Sequence, residues 1–164
     1  MPPSSKPRPP RRPAAPSRAP SPEAPEPVPA LAQRLDDRLL QALGQADPPV
    51  SVQSAAALIQ ALRATFSDEM RRWFPLVPEA EPGRAREAAR EASLDLADLR
   101  VLYRALRVAW LAELVFGERE LAHRWLCQPK RRLHGRVPLL LCQYGRYAAM
   151  IEQWLVNIDE GNGP

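Results

Sequence analysis

The sequence predicts an all-α fold, a small helical bundle with a disordered, Pro/Arg-rich N-terminal arm. Three observations lead there. Apolar residues recur at spacings of three and four from Leu31 to Ile158, and β-branched residues are scarce. From Ala30 onward, prolines and glycines fall mainly between the apolar stripes, where they end or start helices.

Of the 20 prolines in the 164 residues, 12 precede Ala30. Proline at that density fixes φ and removes backbone donors, so neither helix nor sheet propagates. Residues 1–29 also hold hardly any large apolar side chain, so burial cannot offset their ordering entropy. Lys6, Arg8, Arg11, Arg12 and Arg18 precede the first acid, Glu23, which makes the arm basic. Roughly 130 residues remain to build a core, enough for a small helical domain.

Leu31, Leu35, Leu39 and Leu43 predict a first amphipathic helix, stopped by Gly44. Asp47-Pro48-Pro49 breaks the chain, and Ser51 is a good N-cap for a second helix. Val52, Ala55, Ile59, Leu62, Phe66, Met70 and Trp73 then form one long stripe, expected as a single helix over 51–74. Pro75, Pro78, Pro82 and Gly83 mark a linker, and RAREAAREA begins a short helix. Ser93 is expected to cap the next helix, with Asp95 in its first turn. That helix buries Leu99, Leu102, Leu106, Trp110 and Leu114 and ends at Gly117.

A short helix over 118–127 is expected to bury Leu121, Ala122, Trp125 and Leu126. Residues 129–136 predict a loop. Pro138 suits a first helical position and opens a turn that stops at Gly145. The last helix, about 147–158, shows Tyr147, Ile151, Trp154, Leu155 and Ile158 on one face. The division expected is an arm at 1–29, an N-terminal helical region at 30–74, a linker with a short helix at 75–95, and a C-terminal domain at 96–164.

Charge and composition exclude more than they assign. The formal net charge of +4 is concentrated in the arm and in residues 130–136. Cys127 and Cys142 show no framework spacing, as expected of a reducing compartment, so the cytoplasm is the expected location. No apolar run reaches the ~18 residues of a membrane span, and the basic N-terminus lacks the apolar region of a secretory signal. No Gly-rich phosphate loop follows a strand, and Asp36, Asp37, Glu118 and Glu120 suit helix surfaces or helix N-termini. His123, Cys127, His134 and Cys142 are of zinc-binding types, but Cys127 borders an apolar stripe and reads as a small buried hydrophobe. No catalytic residue, cofactor or metal is expected, and the chain is not expected to be an enzyme.

One spaced set is more specific. Phe116-Gly117, Ala122 and Trp125-Leu126 lead into Pro129-x3-Leu133-x-Gly135-x2-Pro138-x2-Leu141, then Gly145 and Glu160-Gly161. This pattern, across residues 99–161, resembles the C-terminal toxin-binding domain of Xre/MbcA/ParS antitoxins. The resemblance implies a partner, a cognate toxin of the RES type with an ADP-ribosyltransferase-like fold that consumes NAD. It implies neutralisation by covering the toxin's cleft with the C-terminal end of the antitoxin. Carried onto this chain, the candidate contacts are Trp154, Leu155, Ile158, Asp159, Glu160, Gly161 and Asn162. The neighbouring loop adds Lys130, Arg131, Arg132, His134 and Arg136 as a second group.

Many members of that family also carry an N-terminal helix-turn-helix for operator DNA. The stripe over 51–74 lacks the Gly-containing turn and following recognition helix that this motif requires. Operator DNA remains a candidate partner through Arg8, Arg11 and Arg12 of the arm. Arg100, Arg104 and Arg107, expected as a basic stripe opposite a buried helix face, are the other candidates. The competing readings are therefore a DNA-binding regulator of its own operon and a helical protein-interaction adaptor. The wide stripe over 51–74 could also serve a homo-oligomer.

Overall fold

The computed structural model describes residues 30–79, 83–91 and 93–162. The arm at 1–29, with Arg8, Arg11 and Arg12, lies outside the described residues. Within them every regular element is a helix and there is no strand, as the apolar spacing predicts.

Helix α1 (Leu31–Leu43) buries Leu35, Leu39 and Leu43. Its last turn closes on Gly44, whose N–H donates to the Leu40 carbonyl at 2.9 Å. Helix α2 (Val52–Thr65) opens at Ser51, whose hydroxyl accepts from the Ser54 N–H while Ser54 Oγ accepts in return.

The single helix expected over 51–74 is two. Phe66 turns extended at the end of α2, and α3 (Asp68–Trp73) starts anew. Ser67 causes the break, because its Oγ captures the Met70 N–H at 3.3 Å. Asp68 and Glu69 then suit the positive end of the new helix. The apolar spacing survives the break because both pieces feed one core, with Phe66 and Phe74 meeting edge to face at 6.0 Å.

After α4 (Ala85–Glu91) the chain enters the long α5 (Leu96–Phe116). The expected cap, Ser93, instead has φ +50 and donates its N–H to the Arg90 carbonyl, closing the preceding turn. Asp95 caps α5, in a reciprocal pair with Asp98. A carboxylate two residues later therefore does what the hydroxyl was expected to do.

Helix α5 is the axis of the bundle, in contact with α1, α2, and the later α6 (Arg119–Cys127), α7 (Pro138–Leu141) and α8 (Gly145–Asp159). Leu99, Leu102, Leu106 and Trp110 are buried along it, while Leu114 is half-buried. One continuous apolar core takes in residues of α1, α2, α3, α5, α6, α7 and α8, running across the boundaries at 74 and 96.

Two further expectations change. Leu121 is exposed, because the inward arc of α6 is Ala122, His123, Leu126 and Cys127. Gly145 does not stop the turn after Pro138. α7 ends at Leu141, and Gly145 is the first residue of α8.

A polar knot ties the bundle together at Glu113 of α5, whose side chain is almost wholly buried. Its carboxylate accepts from Arg38 Nη2 of α1 at 2.7 Å and pairs with His123 Nε2 of α6 at 3.0 Å. Arg119 Nε lies 3.9 Å away, and the same guanidinium donates to the Ala64 and Thr65 carbonyls at the end of α2. Arg38 also covers the ring of Trp110 at 4.4 Å. Trp110 in turn donates its indole N–H to Thr65 Oγ1 at 2.9 Å. Four helices are thereby joined through Glu113 and Trp110.

Candidate functional site

The C-terminal half presents a basic turn leaning on a row of aromatic rings. The turn begins after Pro129 and is closed by backbone bonds. Lys130 N–H donates to the Arg136 carbonyl at 3.0 Å, and the Leu133 and Gly135 N–H groups both donate to the Lys130 carbonyl at 2.9 Å. Arg131–Leu133 form a single 3-10 turn, followed by His134 and Gly135, both with positive φ. Leu133 points into the core, so the turn is anchored by an apolar residue while Arg131, Arg132, His134 and Arg136 stay exposed.

Beneath it, Phe116, Trp125 and Trp154 form a ladder. Phe116 and Trp125 are 5.8 Å apart between centroids, and Trp125 meets Trp154 edge to face at 4.9 Å. Lys130 Nζ sits 5.0 Å above Trp125, and the Arg132 guanidinium sits 5.2 Å above Trp154. Burial pulls Lys130 below the usual amine value. A groove of about 340 Å³ opens beside this pair, lined by Arg132, Leu133, Met150, Gln153, Trp154 and Asn157.

The sequence-derived candidates divide sharply. Lys130, Arg131, Arg132, His134 and Arg136 come together on one turn, as the loop reading expects. Trp154 is only 7% exposed and contributes the edge of a ring, its indole N–H lacking an acceptor among the described residues. Leu155 is fully buried and packs behind the surface. Ile158 is half-buried against the core. Met150, Gln153 and Asn157 are groove residues that the sequence reading missed. They sit near Trp154 at helical spacing, and Met150, 45% exposed, falls off the buried stripe.

Asp159, Glu160, Gly161 and Asn162 are exposed and ordered by a helix-ending motif. Gly161 has φ +76; its N–H donates to the Ile158 carbonyl at 3.1 Å, and the Asn162 N–H to the Asn157 carbonyl at 2.8 Å. This pairing of a 5→2 and a 6→1 bond is the Schellman closure, and it needs a left-handed residue at the glycine. Gly161→Ala is expected to cost about 1 kcal/mol, because L residues pay roughly 1–2 kcal/mol for that region. Thermal denaturation of the variant checks it.

The remaining family-pattern residues build this scaffold. Gly117 closes α5 at φ +69. Ala122, Leu126, Pro138 and Leu141 are buried, while Pro129, Gly135 and Gly145 are exposed at the bends of the chain. On α5, Arg100 is exposed, but Arg104 and Arg107 are not a solvated stripe. Arg104 donates to the Gln143 carbonyl at 2.8 Å and the Cys142 carbonyl at 3.5 Å. Arg107 Nε lies 3.1 Å from Glu152 Oε1, and its Nη1 reaches Asp36 at 3.5 Å.

Cys127 and Cys142 are both buried. Burial pushes the Cys127 thiol up to about 12 and the Cys142 thiol further up still, so neither ionises at neutral pH. His123 faces Glu113. Among the described residues no cluster of His, Cys, Asp or Glu could hold a metal ion, and no helix is long and apolar enough to cross a membrane.

Comparison with known proteins gives a match over the same part of the chain. Residues 111–161, which contain the turn, the groove and α8, match the antitoxin Xre/MbcA/ParS C-terminal toxin-binding domain. The chain is also 37% identical over 62 residues to a Pseudomonas putida protein named Antitoxin Xre. That similarity spans 38% of this chain and 39% of the relative. No solved structure matches the chain. Residues 111–161 are thus similar to the Xre/MbcA/ParS C-terminal toxin-binding domain, and they form the C-terminal end of an all-α bundle.

Proposed function

We propose that the chain is the antitoxin of a type II toxin–antitoxin pair. It neutralises a RES-type, NAD-consuming toxin by seating the C-terminal end of α8 and the basic turn over the toxin's active-site cleft. The observation that carries this reading is the coincidence of the family match with the ordered basic turn and closed helix end. Occlusion asks no chemistry of the antitoxin. It asks for a surface already held in place, so that ordering costs do not consume the contact energy. The backbone bonds of the turn and the Schellman closure at Gly161 supply that rigidity. The pair would act in the cytoplasm, where buried thiols such as Cys127 and Cys142 stay reduced.

Co-expression with a RES-domain protein encoded beside this gene tests the reading through growth rescue and co-purification. The full chain is expected to restore growth. A chain ending at Ile158 keeps the half-buried part of α8 but loses the exposed end, and it is expected to rescue poorly. Equal rescue by that shortened chain would remove the tail from the contact. Failure of the full chain to bind or rescue would remove the reading itself.

A further inference from the structure

The cations of the basic turn differ from most of those at the heart of the bundle. Arg38, Arg107 and Arg119 face carboxylates, and Arg104 holds two carbonyls. Lys130, Arg131, Arg132 and Arg136 face no carboxylate among the described residues. Four like charges on one closed turn repel one another, and one of them, Arg132, overhangs the groove. The groove itself is largely apolar in character, with Leu133, Met150 and the Trp154 ring in its wall. Its volume of about 340 Å³ suits a large side chain or two.

We propose that the turn and groove together bind an acidic segment of the partner protein. An apolar side chain of that segment enters between Met150 and Trp154, and flanking carboxylates meet Arg131 and Arg132. This rests on the neutralisation reading and names the chemistry its partner brings to the contact. Two features favour an acidic protein over nucleic acid. Lys130 and Arg132 already sit over the rings of Trp125 and Trp154, so these faces beside the groove are not free for base stacking. An apolar wall with an exposed methionine also has no use in gripping phosphates, whereas it suits a hydrophobic side chain.

The test measures affinity of the full chain for a RES-type toxin, at low and at physiological salt. Arg131→Glu combined with Arg132→Glu is expected to weaken binding on the order of 100-fold and to flatten its salt dependence. Met150→Glu is expected to weaken it as well, by placing a charged carboxylate where the apolar side chain enters. Arg72→Glu, an exposed cation on α3 outside the turn, is expected to leave binding unchanged. Tight binding that survives the double reversal overturns the inference while leaving the neutralisation reading intact.

If the unaltered chain binds no such toxin, that reading falls and the surface is probed directly by NMR. A short peptide alternating leucine and glutamate is then expected to shift the Trp154 indole resonance, and its leucine–lysine counterpart is not. Equal response to the two peptides overturns the inference. So does duplex DNA binding that the double reversal abolishes.

Discussion

Glu113→Ala is expected to destabilise the protein by about 3 kcal/mol, at the lower end of the ~3–5 kcal/mol seen when one member of a buried ion pair is removed. The lower end applies because Arg38 is still 37% exposed and can turn to water, whereas His123 cannot. The carboxylate sits in the last turn of α5, where the helix dipole disfavours a negative charge. Its presence there makes sense only through the partners it gathers from α1 and α6. Urea denaturation compares the two proteins. Glu113→Gln, which keeps the shape but loses the charge, is expected to fall between them.

The same group sets an acid limb. Burial alone would raise the Glu113 carboxyl, but hydrogen bonds from His123 and Arg38 and their charges outweigh it, so the folded value lies below the ordinary one. The unfolded chain, with a value of about 4.3, therefore takes up a proton before the folded chain does. Stability from this group is fully present above that value. It is lost as pH falls through the lowered folded value. Thermal melts across the acid range are expected to show this loss in the wild type and a flatter limb in Glu113→Gln.

Glu113 also shows what the sequence withheld. Its partner Arg38 is 75 residues away, and nothing in helical spacing announces such a pair. Helices, by contrast, were legible wherever local chemistry decides them. Gly44, Ser51, Gly117 and Pro138 stand where capping and turn preferences put them. The break at Ser67 was not legible, because apolar spacing reports only which side chains face inward. A segment can bend at a capping hydroxyl without disturbing that register.

The candidate site divided along the same line. Residues 130–136 were legible as a charged loop between a proline and a helix-starting proline, and they do form one exposed turn. The groove was not legible, since Met150, Gln153 and Asn157 acquire meaning only when the turn folds back over α8. Leu155 was legible as part of the apolar stripe of the last helix, and it falls on the core side.

Trp154 separates the scaffold from the contact, and two substitutions there are expected to diverge widely. Trp154→Ala removes a nearly buried indole packed on Trp125, a loss of about 3–5 kcal/mol, and it also removes the wall of the groove. Partner affinity is expected to collapse along with stability. Trp154→Phe keeps a ring beneath Arg132 and against Trp125, and deletes a donor that has no acceptor among the described residues. An unsatisfied buried donor itself costs roughly 1–3 kcal/mol, so its removal offsets much of the packing lost with the smaller ring. The Phe variant is accordingly expected to melt within about 1 kcal/mol of the wild type. It should retain most of its affinity, because the ring and the cation above it are preserved. Melting and binding measured on both variants decide the matter. A Phe variant as unstable as the Ala variant would mean that the indole N–H is bonded in solution, and that the ladder depends on a polar link rather than on packing alone.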